Sequence, residues 1–391
     1  MAPLKSSQRW FAVGTSNHPD ATTAGAEAAA GALTGDEPKL LVVFASDSYD
    51  LVQLLAAINR RSGGAPLIGC TTAGEIASSG PDEASVVVTA LGGPGFSCAT
   101  ACATNVSSHL RESGAQVASC FSKVEDRPYR TLLLLTDGLA GDQAEVVRGA
   151  YSVVGATVPL VGGCAGDDLR MKRTRQLFGD RVLEDAIVAA ALGSDSVMGL
   201  GVKHGWRRVG EPMLVTSSSE NRVHSLDDKP ALDVYLDRLG ASPAVATDPA
   251  AFTQFAITHP LGLNKRSGEE VRFVGEANFT DRSLGCIAEV PQGGLAWFME
   301  GDSESVLEAT DAACVDALAP LAGRPPLGFL AFDCIARKGV LGDSGIHQEV
   351  SRIGRLANGA PVAGFYTYGE IARTHGMRGF HNQTLVILAL S

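Results

Sequence analysis

The chain has 391 residues, 45% of them hydrophobic, and a formal net charge of −11. That length predicts two domains rather than one average core, and the negative balance argues against nucleic acid or an anionic membrane as partner. No apolar run reaches the ~18 residues of a bilayer span, no apolar leader opens the chain, and eight scattered cysteines suit a reducing cytoplasm.

Taken in order, Trp10 to Gly14 reads as a short strand and Ala24 to Leu33 as a helix, with Thr22 and Thr23 as capping candidates. Leu40 to Ala45 is an unbroken apolar run, the pattern of a strand buried on both faces. In Asp50 to Arg61 the apolar positions Leu51, Leu54, Leu55 and Ile58 form one helical stripe. Ala65 to Ala77 follows, and then a strand from Ser85 to Leu91.

The segment Ala65 to Ala77 recurs. It reads APLIGCTTAGEIA, and Ala360 to Ala372 reads APVAGFYTYGEIA. Val158 to Asp167, VPLVGGCAGD, is a shorter copy ending in an acid. Each copy follows a buried strand and a helix: Thr131 to Leu135 with Gln143 to Val154, and Leu327 to Phe332 with Ile346 to Leu356. Each precedes a last strand, Asp185 to Leu192 or Thr384 to Leu390. The repeat is therefore a supersecondary unit, and strands separated by helices predict α/β layers.

Between the second and third units, Met198 to Val215 reads as twisted strands and Lys229 to Leu239 as an amphipathic helix with Pro230 in its first turn. Val271 to Phe273, Gly285 to Glu289 and Leu295 to Met299 read as strands, and Ser305 to Leu318 as a helix. The expected boundary lies near Gly193 to Val197, giving domains 1–195 and 196–391. The basic run Arg170 to Arg175 is flanked by Asp167, Asp168 and Asp180 and reads as a solvated loop.

Six short stretches stand out together: GCTTAGEI (Gly69 to Ile76), GVKHGW (Gly201 to Trp206), KPALDVY (Lys229 to Tyr235), FDCIAR (Phe332 to Arg337), GFYTYGEI (Gly364 to Ile371) and HNQT (His381 to Thr384). In these the chain resembles the FIST family, in which an N-terminal and a C-terminal FIST domain form a sensory module; the first is similar to the N-terminal hallmark and the other five carry the C-terminal likeness. The resemblance implies a small-ligand sensor acting in signal transduction, with amino acids among the ligands. It also implies a haem-binding nitric oxide sensor as an alternative. Nothing in the chain resembles an F-box, kinase or cyclase, so output is expected through a separate signalling protein.

The expected fold is α/β: two related domains of mixed sheets flanked by helices, with an α-β-β-α sandwich as one arrangement. The motif tips carry Thr71, Thr72 and Glu75, and Tyr366, Thr367, Tyr368 and Glu370. Hydroxyls and carboxylates at strand ends suit a small polar ligand, although they also suit loop backbone groups. Arg337 and Arg272 could hold an acidic ligand, with pairing of Arg337 to Asp333 or Glu370 as the structural alternative. Cys334 joins them as a strand-end thiol that is either accessible or buried and inert.

Enzyme signatures are weak, since GDSG (Gly342 to Gly345) breaks the nucleophile-elbow spacing and no phosphate-binding glycine loop is present. A cysteine hydrolase using Cys334 with His347 or His375 is the remaining enzymatic alternative. The cysteine spacing does not form a zinc site, no cofactor is expected from the residues themselves, and non-covalent haem would need one axial ligand among His204, His259, His375 and His381.

Overall fold

The strand Pro38–Ala45 is buried along most of both faces, and its side chains alternate between two cores. Leu40, Val42 and Phe44 enter a core shared by three sheets, while Leu41, Val43 and Ala45 meet helices. The alternation recurs at Leu133 and Leu135 against Leu132 and Leu134, and at Leu330 and Phe332 against Phe329 and Ala331. The computed structural model describes residues 8–265, 268–373 and 379–391.

The first unit comprises β1 (Trp10–Ser16), α1 (Ala21–Ala32), β2 (Pro38–Ala45), α2 (Leu51–Ser62), β3 (Leu67–Thr71), β4 (Glu75–Ala77), β5 (Gly80–Asp82) and β6 (Val86–Gly92). The second repeats it with β7 (Phe96–Thr104), α3 (Leu110–Ala118), β8 (Tyr129–Thr136), α4 (Gln143–Val154), β9 (Leu160–Cys164), β10 (Gln176–Phe178), β11 (Arg181–Leu183) and β12 (Ala186–Ser194). The third opens on β13 (Met198–Lys203) and is then interrupted by an inserted lobe.

The lobe holds β14 (Arg207–Ser219), β15 (Arg222–Leu226), β16 (Lys229–Pro230), α5 (Ala231–Arg238), α6 (Pro249–Ile257), β17 (Leu261–Lys265), β18 (Gly268–Arg272), β19 (Val274–Asn278), β20 (Ser283–Cys286) and β21 (Leu295–Glu300). These strands form one antiparallel sheet over a core of their own that includes Met213, Tyr235, Phe252 and Phe298. The third unit resumes with α7 (Ser303–Leu318), β22 (Gly328–Cys334), α8 (Ile335–Leu356), β23 (Val362–Thr367), β24 (Glu370–Arg373), β25 (Phe380–His381) and β26 (Leu385–Leu390).

The three units exchange hairpins in a cycle. The first sheet runs β1-β6-β2-β3-β10-β11, the second β7-β12-β8-β9-β24-β25, and the third β13-β26-β22-β23-β4-β5. So the hairpin after each motif copy leaves its own sheet and completes that of the preceding unit, the first unit's hairpin closing the cycle on the third sheet. The mixed α/β class holds, with helices outside and sheets facing inward, but three sheets meet rather than two. A division at 195/196 falls between β12 and β13, yet the hairpins β4-β5 and β24-β25 cross it.

The motif tips interlock where the units meet. Ala73 N–H donates to the Tyr366 carbonyl at 3.0 Å, Gly166 N–H to Thr71 at 3.0 Å, and Tyr368 N–H to Cys164 at 3.2 Å. This closed ring of three backbone bonds satisfies groups that no single sheet could pair. The shared motif glycine belongs to the same packing: a Cβ on Gly69, Gly162 or Gly364 would lie 2.3, 1.9 or 2.0 Å from the carbonyl oxygen of the neighbouring parallel strand.

Local differences from the sequence reading have simple causes. Asp20, not Thr22 or Thr23, caps α1, because its carboxylate accepts the Thr23 N–H at 2.8 Å. Helix α8 begins at Ile335 rather than Ile346, with a break at Gly342 where φ is 60°. Pro230 stands just before α5 rather than inside its first turn.

Candidate ligand site

Most of the motif-tip side chains face into the protein. Thr72 donates its hydroxyl to Glu75, whose other oxygen accepts the Ser85 N–H at 3.1 Å and hydroxyl at 2.7 Å. The third copy repeats this arrangement: Thr367 donates to Glu370, which accepts the Thr384 N–H at 3.0 Å and hydroxyl at 2.8 Å. Each Glu thus ties its motif to the start of the unit's last strand. Burial pushes both carboxyls from the ordinary 4.5 up to about 7, against the pull of these donors.

The other sequence candidates divide in the same way. Thr71 Oγ1 accepts the Arg175 N–H at 3.0 Å. Tyr366 is fully buried, with the Lys338 ammonium 5.1 Å from its ring centre. Cys334 is buried against Glu370, and desolvation drives its thiol well above the ordinary range, whereas His347 is exposed and His375 lies outside the described residues. A buried thiol of that kind is a poor nucleophile.

Arg337 is fully buried and donates to Asp333 and Glu349, each at 2.6 Å, and to the His204 carbonyl at 2.8 Å. Arg272 is paired with Glu270 at 2.7 Å and donates to the Val271 and Glu289 carbonyls. Neither arginine is therefore an open clamp for an acid. The residues named from the sequence do not gather in one pocket: Glu75 borders a cleft of about 360 Å³ and Arg272 a much smaller one.

Tyr368 is different. It is half-buried and lines a cleft of about 720 Å³ with Gly138, Leu139, Gly141 and Asp142 of the β8–α4 loop, Gln143 at the start of α4, Met171 and Phe380. The inserted lobe supplies the opposite wall through Glu220, Asn221, Ile287, Ala288 and Glu289. The tyrosine ring fits because Gly138 has no side chain, since a Cβ there would stand 3.1 Å from the ring and 2.3 Å from the Ala165 carbonyl.

Asp137 shapes the loop beneath. Its carboxylate accepts the Leu139 N–H at 2.8 Å and the Thr174 hydroxyl at 2.7 Å. Its carbonyl accepts from Gln143 Nε2 at 2.9 Å. That bond orients the Gln143 amide, which is 3% exposed, and leaves Oε1 without a hydrogen-bond partner among the described residues. A buried acceptor in a cleft wall is costly unless something donates to it. Neither Gln143 nor Asn221 stood out in the sequence, because neither lies in a repeated motif; the acid-rich β8–α4 junction was the available cue.

Of the four histidines weighed as haem ligands, His375 lies outside the described residues, His204 and His381 border one cleft, and His259 is not among that cleft's lining residues. His259 Nδ1 faces the Thr258 hydroxyl and Phe255 carbonyl, and its ring stacks on Phe255. His381 Nε2 bonds the Ala372 carbonyl at 2.8 Å. His204 Nδ1 accepts the Trp206 N–H at 3.0 Å, and the ring borders a cleft whose wall carries Lys203, Arg207, Glu269 and Glu308. Such charged walls are a poor match to a porphyrin's apolar faces. Among the described residues no group of three or more metal-ligating side chains converges, and no helix is long and apolar enough to cross a membrane.

Fold and site together define a mixed α/β protein of three packed sheets with an inserted lobe, and a cleft walled by that lobe on one side and strand ends on the other. The FIST N domain model matches residues 39–229 and the FIST C domain model residues 231–373. The chain belongs to the FIST family, whose domains are generally sensory domains of signal-transduction proteins. An uncharacterized protein of Mycobacterium tuberculosis, Rv0628c, is 30% identical over 393 residues, covering 95% of this chain and 97% of its own. An uncharacterized protein of Mycobacterium bovis, Mb0898c, is 27% identical over 392 residues, covering 95% and 96%. A solved chorismatase overlays 99% of this chain and 100% of its own with 10% identity and a TM-score of 0.39, too distant to bear on activity.

Proposed function

We propose that the cleft between the inserted lobe and the β8–α4 loop binds a small polar metabolite, an amino acid or a derivative of one, and that this is the input of a sensory protein. The observation that carries this reading is the make-up of the cleft, about 720 Å³ with Glu220, Glu289 and Asp142 in its wall and no Lys or Arg among its lining residues. These acids favour an ammonium or other positively charged group. Tyr368, Phe380, Ile287 and Met171 supply the apolar wall.

Position in the fold supports the same choice. The cleft beside Ala73, the residue matching Tyr368 in the first copy, has no lobe over it and is about 560 Å³. The insertion therefore encloses one site out of a repeated set. All eight cysteines are free, which fits a reducing cytoplasm, and the signal would pass to a separate partner chain. Thermal-shift measurement against a panel of amino acids and their amine and acyl derivatives tests the reading. At least one member should raise the melting temperature of wild type and fail to do so in Glu289→Arg; no stabilisation by any member would remove it.

A further inference from the structure

The Tyr368 hydroxyl is engaged by the segment that follows β9. It donates to the Asp167 carboxylate and accepts the Leu169 N–H at 2.7 Å and the Asp167 N–H at 3.2 Å. Asp167 in turn accepts the N–H groups of Met171 at 2.9 Å, Lys172 at 2.8 Å and Arg173 at 3.0 Å. One Tyr–Asp pair thus organises the whole segment 167–173.

Beyond that pair the segment is fixed by surface contacts, those of Arg170 with the Asp167 carbonyl, Asp168 and Asp47 and that of Arg173 with Glu184. Asp168, Leu169 and Met171 have φ of 55°, 60° and 51°, left-handed conformations that side-chain-bearing residues avoid unless held. Leu169 and Met171 are 59% and 56% exposed, so packing does not hold them. Met171 borders the candidate ligand cleft, while Asp168 and Leu169 border the second cleft beside Lys338 and the α8 break at Gly342. The segment lies between the two clefts and is strained.

We propose that residues 167–173 form a strap whose closed state is latched by Tyr368 and Asp167, and that a ligand claiming the Tyr368 hydroxyl releases it. The proposal rests on the assignment of the ligand cleft made above and adds its output. On release the left-handed residues relax, and Leu169 and Met171 move together, which changes the apolar surface offered to a signalling partner. Asp167 stays ionised while latched: burial acts to raise it, but Tyr368 and the three backbone donors outweigh this and hold it below the usual range.

Hydrogen exchange and limited trypsin digestion of the full chain read the strap directly, since Arg170, Lys172 and Arg173 are cleavage sites within it. Tyr368→Phe keeps the ring and removes the latch. It should raise exchange at 168–173 and cleavage in the strap about tenfold or more, with β8 and β22 peptides unchanged. Asp167→Asn should do the same. Wild-type rates in folded Tyr368→Phe would overturn the strap, as would a panel compound that binds wild type in the cleft without raising exchange at 168–173. Tyr368→Phe requires no ligand, so failure of the strap and failure of the cleft assignment give different results.

Discussion

The Glu370 carboxylate accepts both the backbone N–H and the hydroxyl of Thr384, at 3.0 and 2.8 Å, and Glu75 holds Ser85 in the same way. The acid at the end of the repeated motif is therefore a fastener between the motif and the last strand of its unit. Its threonine partner, three positions earlier in both copies, completes the fastening.

A pH dependence of stability follows. Both carboxyls are raised to about 7 by burial, so the fold favours the neutral acid. That contribution is whole below the unfolded value near 4.5 and is lost as pH rises through about 7, on the order of 3 kcal/mol per site. Urea unfolding at pH 5 and pH 8 should show wild type losing more stability over the interval than Glu370→Gln. Parallel losses would count against this role.

Arg337 predicts an asymmetry. Asp333 and Glu349 both bond it, so one buried cation faces two buried carboxyls, and Asp333 Oδ2 and Glu349 Oε2 have no hydrogen-bond partner among the described residues. Burial raises Asp333 well above the carboxylate range, reinforced by the Glu349 charge. Arg337→Met, which leaves an uncompensated buried charge, should cost about 3–5 kcal/mol. Asp333→Asn, which replaces an already neutral group, should cost under about 1.5 kcal/mol. Equal losses on chemical denaturation would be inconsistent with a neutral Asp333.

The motif glycine gives a third test. In Gly364→Ala the new methyl would lie 2.0 Å from the Ala331 carbonyl, so β22 and β23 must separate. Overpacking of that kind costs about 1–3 kcal/mol or more. A melting temperature within a degree of wild type would show that the strands can part freely.

What could be read from the sequence follows contact range. The strand runs, the helices α2 and α4, and the unit of strand, helix, motif and last strand rest on neighbouring residues, and they appear as expected. The exchange of β4-β5, β10-β11 and β24-β25 between sheets depends on pairings such as Glu75 with Phe365 and Glu370 with Gly163, which no local pattern encodes. Helix α3 escaped notice because Gly114 and Ser113, both poor helix formers, sit on its buried face. For the site, the motif pointed to Tyr368 but equally to Thr72, Thr367 and their acids; only the fold separates half-buried Tyr368, which reaches the lobe-covered cleft, from those that are buried. Gln143 could not be singled out, since its unpartnered oxygen is a consequence of tertiary packing.

The central claim is that the lobe-covered cleft takes a small amine-bearing metabolite. Calorimetric titration of ligand-stripped wild type and Ile287→Trp with the amino-acid panel tests it most directly, because Ile287 is 43% exposed in the cleft wall and an indole there fills the space. Saturable binding by at least one compound in wild type, abolished in a folded Ile287→Trp, is the predicted result. Binding that survives the filled cleft, or none at millimolar concentration, would contradict it.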